Sequence, residues 1–156
     1  MVKSGEKWEA SMFFGEFEYR VDQKGRVPIP PRFRRELKGG IVLTQGIERC
    51  AVAYSPSEWQ KIATTLTTDS VTPSKLRRLN RAIFATAFSL NMDGQGRIAL
   101  PILLREYAGI EGEVVIIGAN NYLELWNKEQ WESEQAISRE QAWQITESLE
   151  GQRGGK

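Results

Sequence analysis

Along the chain, apolar positions fall into short runs separated by polar, glycine-bearing turns, and the order of these runs occurs twice. Each series starts with a strand (GEFEYRVD, then FSLNMD) and turns at a glycine. It continues as a second strand ending in proline (RVPIP, then RIALP). A short helix is expected next (PRFRRELKGG, then ILLREYAGI), with Gly39 and Gly109 as terminators. A hairpin follows (IVLTQGIERCAVAY, then EVVIIGANNYLELW), its polar, glycine-containing middle forming the turn. A capped helix closes each series. Ser55 and Asn127 stand at the N-cap, Glu58 and Gln130 stand three residues on, and Pro56 takes the first helical position.

The repetition is residue by residue. Asp22, Gly25, Arg26, Pro30 and Arg34 recur as Asp93, Gly96, Arg97, Pro101 and Arg105, at a constant offset of 71. From Gly46 and Gly118 onward the offset is 72, so one residue is inserted between. These matches divide the chain into a first unit (12–69) and a second (88–150). A linker and connecting helix (70–87) joins them, with Lys75–Thr86 as the helix and Leu76, Leu79, Ala82 and Ile83 on one face. An extension (1–11) and a tail (151–156) are expected to be flexible. A unit of about 70 residues buries only a marginal core. Two in one chain can share one β-barrel, each supplying strands to the other. The expected fold is α+β, mainly β, with helices at the periphery.

Composition narrows the function classes. The 156 residues are 40% hydrophobic and 26% charged, a balance that supports a packed core. No apolar run reaches the roughly 18 residues of a membrane span, and the first residues lack an apolar signal core, so a cytoplasmic protein is expected. The chain has no histidine and one cysteine, Cys50. That removes Ser-His-Asp and Cys-His catalysis, histidine metal sites and a zinc ribbon. No enzyme chemistry, cofactor, metal or small-molecule ligand is expected. GQGRIA (94–99) fits a loose dinucleotide pattern, yet it leads into a strand ending at Pro101 rather than opening a helix. Net charge is only +1, but charge is segregated. Six basic residues face two acidic ones between Asp22 and Lys38, Lys75, Arg77, Arg78 and Arg81 follow, and seven glutamates face two cations between Glu124 and Glu150. Such a chain can turn one basic face to a polyanion.

In the duplicated Asp-x-x-Gly-Arg, Gly25 and Gly96 allow a sharp turn, and Asp22 and Asp93 can cap it or pair with arginine. Turn geometry accounts for the aspartate and glycine. It does not account for an arginine in both copies. Arg26 and Arg97, each presented at a defined angle, suit bidentate contact with guanine edges or phosphate, with Lys24, Arg32, Arg34 and Arg35 backing them on the sugar-phosphate chain. A competing reading makes the duplicated surface an oligomeric scaffold for protein partners, with the acidic C-terminal helix and its Trp131 and Trp143 as the docking element. Those two tryptophans, with Trp59 and Trp126, are expected to pack core or interface.

The segments FFGEFEYRVDQKGRVPIPPRFRREL, YSPSEW, MDGQGRIALPILLREYA and VVIIGANNYLELWNKEQW, in this order from about Phe13 to Trp131, resemble the MraZ family of bacterial transcriptional regulators. The resemblance implies two SpoVT-AbrB-like swapped-hairpin units in one pseudo-symmetric barrel and a ring-shaped homo-oligomer. It implies a nucleoid-associated transcription factor that binds short G-rich direct repeats in double-stranded promoter DNA of the division and cell-wall gene cluster. The family's paired Asp-x-x-x-Arg motifs fall on Asp22 with Arg26 and on Asp93 with Arg97, so the resemblance implies that these arginines meet DNA.

Overall fold

The computed structural model describes residues 12–68 and 72–154. The extension at 1–11, part of the linker (69–71) and the last two residues lie outside the described residues. Among the described residues, eight strands and four α-helices follow one another. They are β1 (Phe13–Arg20), β2 (Arg26–Pro28), β3 (Ile41–Gln45), β4 (Ala51–Tyr54), α1 (Pro56–Thr68), α2 (Pro73–Phe84), β5 (Phe88–Leu90), β6 (Arg97–Ala99), α3 (Ile102–Ala108), β7 (Glu113–Asn120), β8 (Leu123–Asn127) and α4 (Lys128–Gly154). The expected α+β fold is observed, with a core built on sheet.

The sheet order explains why the sequence is duplicated. Six strands pair antiparallel in the order β1-β7-β8-β4-β3-β5, and β2 pairs only with β6. Exchanging the two units turns this order into its own reverse. Each unit's first strand lies on the other unit's hairpin. β1 runs along β7 from Phe13↔Asn120 to Arg20↔Glu113, and β5 runs along β3 from Ile41↔Leu90 to Leu43↔Phe88. Neither half therefore completes its own sheet.

The core sits between the sheet and the β2–β6 ribbon. Alternation sends Leu43, Ala51, Ala53, Val114, Ile116, Leu123 and Leu125 to one face of the sheet, where Val27 and Ile98 of the ribbon meet them. Phe33 plugs one end, edge-on to Phe13 at 5.1 Å and to Phe17 at 5.4 Å. The opposite face carries Val52, Val115 and Trp126, with the fully buried Cys50 beside them. Trp59 of α1 and Trp131 of α4 cover its two ends, Trp59 through Tyr54 and Phe84, and Trp131 through Trp126.

Several expectations need correction. The hydrogen-bonded ladders of the described residues do not close into a barrel, because β1 and β5 end the sheet and the ribbon stands apart. Pro28, Pro30 and Pro101 flank the ribbon and have no N–H to extend a ladder. The helix expected over PRFRRELKGG is reduced to a 3-10 turn at Pro31–Phe33 and further turns. Gly39 and Gly40 end that segment together, and two successive glycines make a last helical turn entropically costly. The positive φ falls at Gly40 there and at Gly109 in the second unit. The connecting helix begins at Pro73, earlier than expected, because Thr72 caps it by accepting the Lys75 N–H at 3.3 Å. Leu76, Leu79 and Ile83 are half-buried as expected, whereas Ala82 is exposed. Ser55 and Asn127 cap as expected, accepting the N–H of Glu58 (3.3 Å) and of Gln130 (3.0 Å). The Glu58 carboxylate, however, is engaged by Lys61 and Asn121.

The last helix continues through Gly154, beyond the expected start of the tail at 151. A single glycine costs about 1 kcal/mol relative to alanine, which an already propagating helix tolerates. This helix outruns the sheet. Trp143, expected in a core or interface, is 75% exposed within the chain, because it sits about 120° around the helix from Trp131.

Replacing Phe33 by alanine removes the ring that joins β1 to the core. A loss of about 3–5 kcal/mol is expected in equilibrium urea unfolding, with the denaturant slope unchanged.

Candidate nucleic-acid interface

The two turns have the same construction. Asp22 Oδ1 accepts the N–H of Lys24 (2.9 Å) and of Arg26 (2.8 Å), and its Oδ2 accepts Arg26 Nε at 2.7 Å. Asp93 Oδ1 accepts the N–H of Gln95 (2.9 Å) and of Arg97 (3.0 Å), and its Oδ2 accepts Arg97 Nε at 2.9 Å. Each aspartate thus shapes the turn with one oxygen and orients the arginine with the other. These bonds hold both carboxyls below the ordinary 3.8. The leading cause is the N–H of Arg26 for Asp22 and of Arg97 for Asp93, with the arginine side chains and the Lys24 and Gln95 amides adding to it.

The register of the ribbon fixes where the arginines point. Arg26 pairs with Ala99, Val27 with Ile98 and Pro28 with Arg97. Val27 and Ile98 are buried in the core, so Arg26, Pro28, Arg97 and Ala99 share the outward face. Arg26 and Arg97 stand on the diagonal of this ribbon, about 7–8 Å apart at the backbone. Their Nε atoms are engaged by the aspartates. The terminal guanidinium nitrogens make no hydrogen bond to the described residues, and each side chain keeps a quarter to a third of its surface exposed (25% for Arg97, 32% for Arg26).

Gly25 and Gly96 are buried, at φ 77° in both copies. Each is gripped by the other unit. The Gly96 carbonyl accepts the Ile29 N–H at 2.9 Å, and the Gly25 carbonyl accepts the Leu100 N–H at 2.8 Å. Arg34 donates its Nε to the Ile29 carbonyl (2.8 Å), and its guanidinium lies against Gly96. Arg105 donates its Nε to the Leu100 carbonyl (3.1 Å), and its guanidinium lies 3.0 Å from where a Gly25 methyl would stand. Arg34, expected to back the arginine turns on phosphate, is therefore half-buried in this clasp. Arg105 was not among the expected site residues. Its recurrence at the offset of 71 from Arg34 was the available signal.

The remaining basic residues are unevenly placed. Lys24, Arg32 and Arg35 are exposed, Arg32 with its guanidinium 4.4 Å from the centre of the Phe14 ring. At the offset of 71 their counterparts are Gln95, Leu103 and Glu106, so only the first unit carries these extra positive charges, Lys24 in its own turn and Arg32 and Arg35 on the segment that Ile29 and Arg34 hold to Gly96. Leu103 and its neighbour Ile102 are 64% and 62% exposed.

This fold and site define a duplicated, strand-exchanged protein that displays two aspartate-braced arginines on one ribbon. A family model described as "MraZ protein, putative antitoxin-like" matches twice, over residues 12–82 and 83–150. A protein of Dehalococcoides mccartyi named transcriptional regulator MraZ is 57% identical over 140 residues, which is 89% of this chain and 99% of that one. Proteins of the same name from Acetivibrio thermocellus and Thermomicrobium roseum are 41% and 38% identical, over 88% of this chain and 96% and 97% of theirs. The chain belongs to the MraZ family. Its relatives are named as regulators, a class of binding protein and not of enzyme.

Two measurements check the turns. Gly96→Ala places a methyl on Arg34 at a positive φ and is expected to cost about 1–2 kcal/mol from the backbone alone. The total loss should exceed that of Gly25→Ala in thermal or urea unfolding. In a carboxyl NMR titration, Asp22 and Asp93 should both have midpoints below 3.8. With native values depressed, their stabilisation is complete above the unfolded midpoint of about 3.9 and is lost as pH falls through the native ones.

Proposed function

We propose that this protein is a sequence-specific transcriptional regulator that reads double-stranded DNA with the β2–β6 ribbon. The carrying observation is the pair of arginines on one outward face, each held at Nε with its terminal nitrogens making no hydrogen bond to the described residues. A two-stranded ribbon is of a size that the DNA major groove admits. An arginine whose two outer donors stay available suits the O6 and N7 acceptors of guanine. The ordering cost of the side chain is met in advance by the aspartate. Arg26 and Arg97 are assigned to base edges, and Lys24, Arg32 and Arg35 to phosphates. Arg34 acts as a positioning residue, holding the opposite turn through Gly96.

The uneven surround supports a direct-repeat site. A ribbon with true two-fold symmetry would favour a palindrome. Here Lys24 stands in the Arg26 turn and Arg32 and Arg35 stand on the segment held to the Arg97 turn, while Gln95, Leu103 and Glu106 occupy the equivalent places. Such a surface has a direction, and it matches short G-rich units repeated head to tail. A ring-shaped homo-oligomer would present the ribbon several times and bind consecutive repeats with avidity. The promoter of the division and cell-wall gene cluster, with the protein's own gene, is the proposed target. Nucleoid association follows from it. No helix among the described residues is long and apolar enough to cross a membrane.

The test is fluorescence anisotropy with a labelled fragment from upstream of the gene and a shuffled control, across a salt series. Arg26→Ala and Arg97→Ala are each expected to weaken the native fragment by about 5- to 150-fold, the loss of one bidentate base contact, while the protein stays folded and loses only a little stability with the exposed ion pair. Arg35→Ala should weaken both fragments alike and reduce the salt slope by about one. Normal promoter binding by both arginine variants would refute the assignment. Absence of binding by the wild type would favour the scaffold reading.

A further inference from the structure

A cavity of about 250 Å³ opens on the sheet face opposite the ribbon, between the β3–β4 hairpin, β8, α1 and α2. Its chemistry is specific. Tyr54, Trp59 and Tyr122 bring three rings to it, with Tyr54 centred 5.6 Å from Trp59 and 5.7 Å from Tyr122, tilted by 45° and 49°. Glu48 and Glu124 bring two carboxylates. Glu124 is half-buried and uses Oε1 to accept the Trp126 Nε1–H at 2.9 Å. Among the described residues, no lysine or arginine forms an ion pair with either glutamate. The nearest basic residue in sequence, Arg49, lies over the Tyr107 ring at 4.7 Å.

The internal repeat provides a control for the carboxylate. Glu124 lies directly across the ladder from Val52, its counterpart at the offset of 72. The fold therefore accommodates an aliphatic residue at this place, and the carboxylate is not demanded by packing. Cys50, Tyr54, Tyr122 and Glu124, in and beside the cavity, all resist negative charge. Burial first, and neighbouring negative groups second, push Cys50 and Tyr54 up to about 12 and raise Tyr122. Glu124 is raised mainly by burial. A positive charge in the cavity would relieve all four.

We propose that this cavity binds a small organic cation, an alkylammonium head group seated against Tyr54, Trp59 and Tyr122 and balanced by Glu124 and Glu48. Aromatic faces attract cations through the ring quadrupole, most strongly when water is displaced, and alkylated ammonium ions exploit this because their shells are apolar. A volume of about 250 Å³ falls just below the range usual for drug-sized ligands and admits a head group with a short tail. A hard metal ion is a poor match, since it requires six or more oxygens and the walls are largely aliphatic and aromatic.

The test uses the full chain and two probes of one shape, choline chloride and the neutral isostere 3,3-dimethylbutan-1-ol. Calorimetry at constant ionic strength is followed by NMR shift mapping. Choline is expected to bind saturably, at least about tenfold tighter than the alcohol, with shifts centred on Trp59 and Tyr122. Glu124→Gln should remove most of that preference and leave binding of the alcohol unchanged. Trp59→Leu should weaken choline, and the shift map supplies the same information if that variant fails to fold. Equal binding of the two probes, no saturable binding of choline, or an unchanged preference in Glu124→Gln would each overturn the proposal.

Discussion

The structure depends on a reciprocal clasp at the centre of the ribbon. Gly25 and Gly96 give their carbonyls to the opposite unit and accept its arginine against their bare α-carbons. One clasp holds the two turns, the two ribbon strands and the two halves of the core in register. It requires glycine twice over, since the backbone is at positive φ and the opposite arginine occupies the place of a methyl. The arginines that read outward are anchored to these same turns through Asp22 and Asp93. Recognition geometry and fold stability therefore share a few residues, and the outward arginines are displayed from the most constrained part of the backbone.

Much of this was legible in the sequence because duplication exposes it. The constant offset paired Asp22 with Asp93, Gly25 with Gly96 and Arg34 with Arg105 before any coordinate was known. The strand order, the hairpins and the Ser55 and Asn127 caps follow from local patterns that the structure retains. What the sequence concealed is non-local. Nothing near Arg34 in sequence shows that its partner lies at Gly96, and an arginine in a basic run looks like a phosphate contact. The open ladder was equally hidden. The prolines that separate ribbon from sheet are visible at Pro28, Pro30 and Pro101, but their effect depends on which strand lies next to them in space.

The acidic helix shows a different limit. Trp131 and Trp143 read alike as tryptophans on one helix. The length of α4 relative to the sheet, together with their different positions around the helix, separates the packed residue from the exposed one. Similarly, Glu124 reads as one more acid in an acidic segment. Its position across from Val52, in a cavity shared with Tyr54, Trp59 and Tyr122, appears only when the two units are laid against each other.

Gene duplication within one chain frees each copy to depart from the other wherever the shared core does not forbid it. The clasp keeps its paired residues, and the Asp-Arg turns keep their aspartate, glycine and arginine. Departures occur in the core, where Phe33 answers to Leu104, and on the two surfaces that face outward. On the ribbon side, Lys24, Arg32 and Arg35 have no basic counterparts. On the far side, a carboxylate stands opposite a valine. A homodimer of identical units could not make either distinction, because every change would appear twice. Covalent linkage of the units thus permits a reading surface with a direction and a one-sided carboxylate near the pseudo-symmetry axis, while the paired residues beneath them preserve the geometry on which both rely.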